Sequence, residues 1–146
     1  MREILFRGKR KDNGEWIEGY LVKLGRESFS DPERYGICNK AIPLGGSGVC
    51  YNLKIDEIIP ETIGQYTGLT DKNGKKIFEG GIVQYYGTYP LEVYIEKGHT
   101  KTRWYDTVSA RKYDEMFFSI DREGYGECEV IGNIYDNPEL LKGCEK

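Results

Sequence analysis

The chain has 146 residues, with 21 basic and 24 acidic side chains for a net charge of −3, the size of one domain or two small lobes. That balance argues against a protein whose affinity rests on neutralising phosphates. No run nears the ~20 apolar residues needed to span a bilayer, and no apolar stretch of the signal-peptide kind follows Met1, so a cytosolic protein without membrane contact is expected.

Composition points to β structure. Hydrophobic residues make up only 38%, but aromatics reach 13%, with 12 tyrosines. Tyrosine packs its ring and keeps its hydroxyl wet, which suits strands with one exposed face. Nineteen glycines against five prolines imply many tight turns. The expected fold is all-β, built of short antiparallel strands.

In chain order, Glu3–Arg7 reads as a strand, Asp12-Asn13-Gly14 as a turn, and Glu15–Val22 as a second strand. Gly25–Pro32 is polar and loop-like, and Tyr35–Cys38 is a short strand. Leu44–Gly48 is the most glycine-rich run. It lacks the Gly-Lys-Ser/Thr ending of a phosphate-cradling loop, and no helical pattern follows it, so it reads as a connection between strands. Val49-Cys50-Tyr51 opens another strand. Leu53–Ile59 reads either as strand or as a single helical turn, ended by Pro60.

The central stretch, Ile63–Tyr85, is the most informative. Asn73-Gly74 is a hairpin signal, because both residues tolerate the positive φ of tight turns. Gln65-Tyr66-Thr67 precedes it and Ile77-Phe78 follows, then Ile82–Tyr86. Gly80-Gly81 between the last two runs marks a bend or bulge. The opening hairpin echoes this one at an offset of 60, where Asn13-Gly14 matches Asn73-Gly74 and Phe6 matches Tyr66.

Beyond it, Pro90–Glu96 alternates as a half-buried strand with Leu91, Val93 and Ile95 on one face. Lys97–Thr102 is a polar connection holding His99. Arg103–Val108 and Glu115–Ile120 read as strands, and Gly124-Tyr125-Gly126 as a turn. Cys128–Tyr135 is the last strand, with Gly132 where it would bend. Asn137 then caps a short C-terminal helix that has Pro138 at its first position and Gly143 beyond its end.

No constellation of reactive residues stands out. His99 is the only imidazole, in a polar segment without an oxyanion or elbow signature. Glu57, Glu61, Asp71, Glu79 and Asp106 are scattered. Cys38, Cys50, Cys128 and Cys144 form no Cys-x-x-Cys pair and read as reduced, buried apolar thiols rather than metal ligands. No cofactor or metal is expected, and no catalysis. A basic, aromatic set does occur on the opening hairpin: Arg7, Lys9, Arg10, Lys11 and Trp16. Lys101, Arg103, Trp104 and Arg111 form a later one. Bases can stack on exposed Trp or Tyr, so these residues are the nucleic-acid candidates. Their other reading is charge that blunts an edge strand, with the tryptophans in the core.

The run Pro60–Gly80 with Ile82-Val83 resembles the signature of the YopX family, phage and prophage proteins without an assigned biochemical role. Arg2–Arg10 continuing to Trp16, and Val130–Leu141, fit it as well, in the same order along the chain. The residues that carry the motif are Gly64, Gln65, Tyr66, Gly68, Asn73, Gly74 and Gly80. The family commonly has Asp after Glu-Gly in this run, where this chain has Gly81. The resemblance implies a small SH3-like barrel in the second half and a bacterial host cytosol. One unit, or two β lobes at 1–59 and 60–146, is the expected organisation. The functional expectation is a non-enzymatic accessory module that binds a phage or host protein, or a second copy of itself. Nucleic-acid binding is the alternative, and an enzyme with an unrecognised site the third reading.

Overall fold

The computed structural model describes residues 3–46, 50–85, 89–106, 111–113 and 128–142, with backbone alone for 104–106 and 111–113. Among the described residues the architecture is antiparallel β with only short 3-10 turns besides. The chain divides into two compact units, Met1–Gln65 and Tyr66–Lys146.

In the first unit β1 (Phe6–Lys9), β2 (Trp16–Leu24), β3 (Arg34–Leu44) and β4 (Cys50–Ile58) form a meander, with strand order β4-β3-β2-β1. Successive side chains of a strand face opposite ways. On β2, Ile17 and Gly19 are buried while Glu18 and Tyr20 are exposed. The inward face packs Ile17, Ile37 and Ile58 together, with Leu21, Tyr35 and Ile63 around them. Beyond β1 the chain returns to meet its own far edge. Arg10 bridges Ile58, the Lys11 N–H donates to the Glu57 carbonyl at 2.9 Å, and the Ile59 N–H donates to the Lys9 carbonyl at 2.8 Å. A 3-10 turn at Pro60–Thr62 follows, and Thr62 Oγ1 accepts the Lys9 N–H at 2.8 Å. β5 (Gly64–Thr70) begins by pairing Gly64 with Arg7 and Gln65 with Phe6.

Several boundaries differ from the sequence reading. β1 starts three residues later than Glu3. Of the two readings of Leu53–Ile59, strand holds, and the segment lies mostly within β4, which ends at Ile58. β3 runs to Leu44, well past Cys38, and includes Pro43. Both strands are exposed on both faces at their far ends, so the apolar–polar alternation of Tyr51–Asp56 does not mark a core there.

In the second unit β5 and β6 (Lys76–Phe78) form the central hairpin. β7 (Gly81–Gln84), β8 (Leu91–Glu96), β9 (His99–Asp106), β10 (Arg111–Tyr113) and β11 (Glu129–Asn133) make a sheet of order β10-β9-β8-β7-β11. Ile77, Val83, Val93 and Cys128 are its core, with Leu69, Tyr85, Leu91 and Val130 packed against them. The polar connection expected over Lys97–Thr102 is instead a tight hairpin. Lys97 and Gly98, at φ 49° and 78°, turn the chain, and His99 already lies in β9 opposite Glu96. Two consecutive positive φ values match the right-handed strand twist, so the strands need no longer loop. The C-terminal helix is a single 3-10 turn, Pro138–Leu141. Asn137 precedes it as predicted but makes no side-chain cap. Its Oδ1 accepts the Asn133 N–H at 3.3 Å instead. The expected strand at 115–120, the turn at 124–126 and Gly143 lie outside the described residues.

The central hairpin is where local chemistry and packing meet. Tyr66 faces Phe78, with ring centroids 5.5 Å apart. Gly68, at φ 87°, lies in the irregularity where β5 bulges against β6. The turn spans Asp71–Gly74, closed by the Gly74 N–H on the Asp71 carbonyl at 2.9 Å. Only Gly74 has positive φ, at 78°; Asn73 does not. The Asn-Gly pair therefore marks the turn, but the one left-handed residue is its last, Gly74, rather than both members of the pair. Gly14 adopts the same conformation in the opening hairpin, at φ 71°. A Cβ on Gly74 would meet nothing within 4 Å, so Gly74→Val tests backbone strain alone. A loss of about 1–2 kcal/mol is expected for an L-residue held there, read as a lower chemical-denaturation midpoint with an unchanged slope.

Asp71 organises this turn. It is 5% exposed. Oδ1 accepts the N–H groups of Asn73 at 2.8 Å and Lys75 at 2.9 Å. Oδ2 accepts the Val130 N–H at 2.9 Å, tying the hairpin to β11. Burial pushes its carboxyl up, but the three backbone donors outweigh this, and its pKa falls below the ordinary aspartate value.

Candidate interaction surface

The strand register sorts the predicted basic set into two groups. Arg7 and Lys9 alternate on β1, and Lys9 lies opposite Trp16 on β2, so all three share the face turned away from the core. The Arg7 guanidinium lies 4.7 Å from the Trp16 ring centre and the Lys9 ammonium 5.5 Å. These are cation–π distances, and they cover the ring with aliphatic stem and charge. Trp16 is half-buried, with these two cations against its ring.

Arg10 and Lys11 belong to the closure against β4. Arg10 Nη2 contacts Asp12 Oδ2 at 2.6 Å and Asp56 Oδ1 at 3.4 Å. Lys11 Nζ donates to Glu57 Oε1 at 3.2 Å. Glu57 also receives a bidentate pair from Arg34, at 3.0 and 2.8 Å. Arg34, then Lys11, holds the Glu57 carboxyl down at about 2. The basic N-terminus is thus largely neutralised by carboxylates from β4 and its own turn. Net attraction for a polyanion falls accordingly.

The later basic set is similarly engaged. Arg103 stacks 4.0 Å from the Tyr94 ring centre and lies 3.8 Å from Glu92, and Lys101 pairs with Glu96. Trp104 and Arg111 carry no described side chain. Of the scattered carboxylates, Glu57 pairs with Arg34 and Lys11, Asp71 holds the turn, Glu79 accepts the Ile95 N–H at 3.3 Å, Glu61 is exposed, and Asp106 carries no described side chain. Among the described residues no three metal-ligating side chains converge. Cys128 is buried as expected, and burial pushes its thiol pKa up. Cys38 is only half-buried and Cys50 is exposed, because both sit on the β3–β4 hairpin away from the core.

That hairpin is the feature sequence reasoning missed. From Lys40 to Leu44 and from Cys50 to Ile55 every residue is exposed. The strands pair Lys40 with Lys54, Ala41 with Leu53, Ile42 with Asn52 and Pro43 with Tyr51. Ala41, Pro43, Tyr51, Leu53 and Ile55 line one side, and Tyr20 on β2 extends it through Cys38. Tyr20 is 63% exposed, Tyr51 56%, Leu53 53% and Ile55 37%. Ile42 and Leu44 project from the other side, also exposed. Scattered exposed hydrophobics are ordinary, whereas these form a contiguous stripe on a two-stranded arm. The signal was present as Tyr51-x-Leu53-x-Ile55, an alternation that sequence alone assigns to a core.

The first sheet thus closes on itself through Lys9–Lys11 and Glu57–Ile59, and its β3–β4 hairpin displays an apolar stripe. The chain belongs to the YopX family: the family's model, described as YopX protein, matches residues 5–142. Among solved structures it is similar to protein EF1440 from Enterococcus faecalis, with 25% identity, 97% of this chain and 99% of that one covered, and a TM-score of 0.59. No curated protein matches it. No helix among the described residues is long and apolar enough to cross a membrane.

Proposed function

We propose that this protein is a non-enzymatic interaction module, a phage or prophage accessory protein that acts in the cytosol of a bacterial host by binding another protein. The observation that carries the reading is the exposed apolar stripe of the β3–β4 hairpin, beside basic residues already engaged with carboxylates or with Trp16. Tyrosine and aliphatic side chains on a sheet surface suit a protein partner, and strand edges are a common mode of recognition. The five-stranded sheet and hairpin of the second unit suit an SH3-like barrel, a scaffold that binds through loops and edges.

Nucleic-acid binding is the second reading, favoured by the stack of Arg7 and Lys9 on Trp16. Fluorescent single- and double-stranded oligonucleotides titrated across a salt series separate the two. Under the protein-interaction reading no affinity appears even at low salt, and neutralising Arg7, Lys9, Arg10 and Lys11 changes nothing. Tight binding that weakens steeply with salt, and that is lost in the neutralised variant, overturns it.

A further inference from the structure

We propose that the open edge of β4, Cys50–Asp56, is a self-association surface that pairs antiparallel with the same strand of a second copy about a two-fold axis at Leu53. The inference rests on the interaction reading above and names its partner.

β4 is the last strand of its sheet. Its C-terminal end is covered, because Glu57 and Ile59 spend their outward carbonyl and N–H on Lys11 and Lys9. N–H and C=O of one residue point to the same side, and successive residues alternate. Glu57 and Ile59 point outward, and the irregularity in this ladder lies in β3, between Cys38 and Lys40. Hence Tyr51, Leu53 and Ile55 also present backbone donors and acceptors to the open edge. The even-numbered residues turn theirs to β3.

A two-fold axis must relate outward residues to outward residues, which leaves few registers. Centred on Lys54, it sets each lysine against its copy, an unfavourable like-charge pair. Centred on Ile55, it requires the Glu57 backbone already bound to Lys11. Centred on Leu53, it uses the whole uncovered segment. Tyr51 then faces Ile55 of the copy, Leu53 faces Leu53, and Lys54 faces the neutral amide of Asn52. Apolar meets apolar, no charge opposes its like, and about six backbone hydrogen bonds form between the odd-numbered residues. The pairing joins two marginal two-stranded arms into a four-stranded sheet, the size at which a β surface becomes stable. An edge of seven residues, about 24 Å long, is small beside a standard interface of ~1,200–2,000 Å². Association is therefore weak, in the micromolar range.

The test uses the full chain. Sedimentation from low to high micromolar concentration is expected to show the mass doubling. Leu53→Pro removes one outward donor while leaving the β3 ladder intact. It and the exposed Leu53→Lys are expected to lower self-affinity at least tenfold with little change in melting temperature. With Cys38, Cys50 and Cys144 replaced by Ser, Leu53→Cys is expected to cross-link with oxidised glutathione, since facing residues of a hydrogen-bonded pair lie ~5.5 Å apart, within disulfide reach. Asn52→Cys, displaced diagonally from its copy, is expected not to. A wild type that stays monomeric at high micromolar concentration overturns the proposal. So does a dimer that survives both Leu53 variants, or one that fails to cross-link at Leu53. None of these results touches the interaction reading, which stands or falls on the oligonucleotide titration.

Discussion

Asp71→Ala is expected to lower the melting temperature by about 10 °C. The carboxylate is buried and accepts three backbone N–H groups. A hydrogen bond to a charged group contributes ~1.5–3 kcal/mol, so losing three part-buried ones costs at least about 3 kcal/mol. At this chain length 1 kcal/mol corresponds to roughly 3 °C. Asp71→Asn separates the contacts. Its amide oxygen can still serve Asn73 and Lys75, while its NH₂ group confronts the Val130 N–H, donor against donor. About half the loss is expected, concentrated in the tie to β11. Slowed-exchange amides in the turn would remain protected while that of Val130 would not, a pattern that hydrogen exchange reads directly.

The same carboxylate sets a pH dependence. Its pKa is lowered in the folded protein, so the folded state binds fewer protons than the unfolded state as pH falls. The stability contributed by ionised Asp71 is fully present above the unfolded aspartate value of ~3.9 and is lost as pH falls through the folded pKa. The stability gap between wild type and Asp71→Asn should therefore be constant near neutrality and narrow below about pH 4. A gap independent of pH down to that range would show that the carboxylate charge plays no part.

Gly80→Ile is expected to be the most damaging single change in the second unit, at about 3 kcal/mol or more. Gly80 sits at φ 80°. A β-branched residue there bears the ~1–2 kcal/mol of the left-handed region and crowding beyond it. Unlike Gly74 the site is also closed: a Cβ would lie 3.3 Å from Tyr135 Cε2. The backbone cannot relax freely, because the Gly80 N–H donates to the Val93 carbonyl at 2.7 Å and its own carbonyl accepts the Ile134 N–H at 2.9 Å. Comparing Gly80→Ala with Gly74→Ala isolates that packing component. Both carry the same strain, so a larger loss at Gly80 measures the crowding, and equal losses would dismiss it.

Features that rest on short-range chemistry are legible in the residues alone. Asn73-Gly74 and Asn13-Gly14 locate both hairpins because glycine is the residue that enters positive φ without strain. The Gly80 bend is legible for the same reason, and Leu91–Glu96 is legible as a strand from its β-forming residues, although Glu92 is buried with Val93. So is the family, since its motif is a string of these turn and strand residues.

Tertiary structure decided whatever joins residues far apart in the chain. Asp71 looked like one scattered carboxylate because its third partner, Val130, lies 59 residues away. Lys11 stands among the nucleic-acid candidates in the sequence because Glu57, 46 residues on, is brought to it only when β4 meets the chain beyond β1. Tyr51, Leu53 and Ile55 alternate as core residues do, yet lie exposed. Periodicity reports which side chains share a face, and only the packing of the chain decides whether anything covers that face.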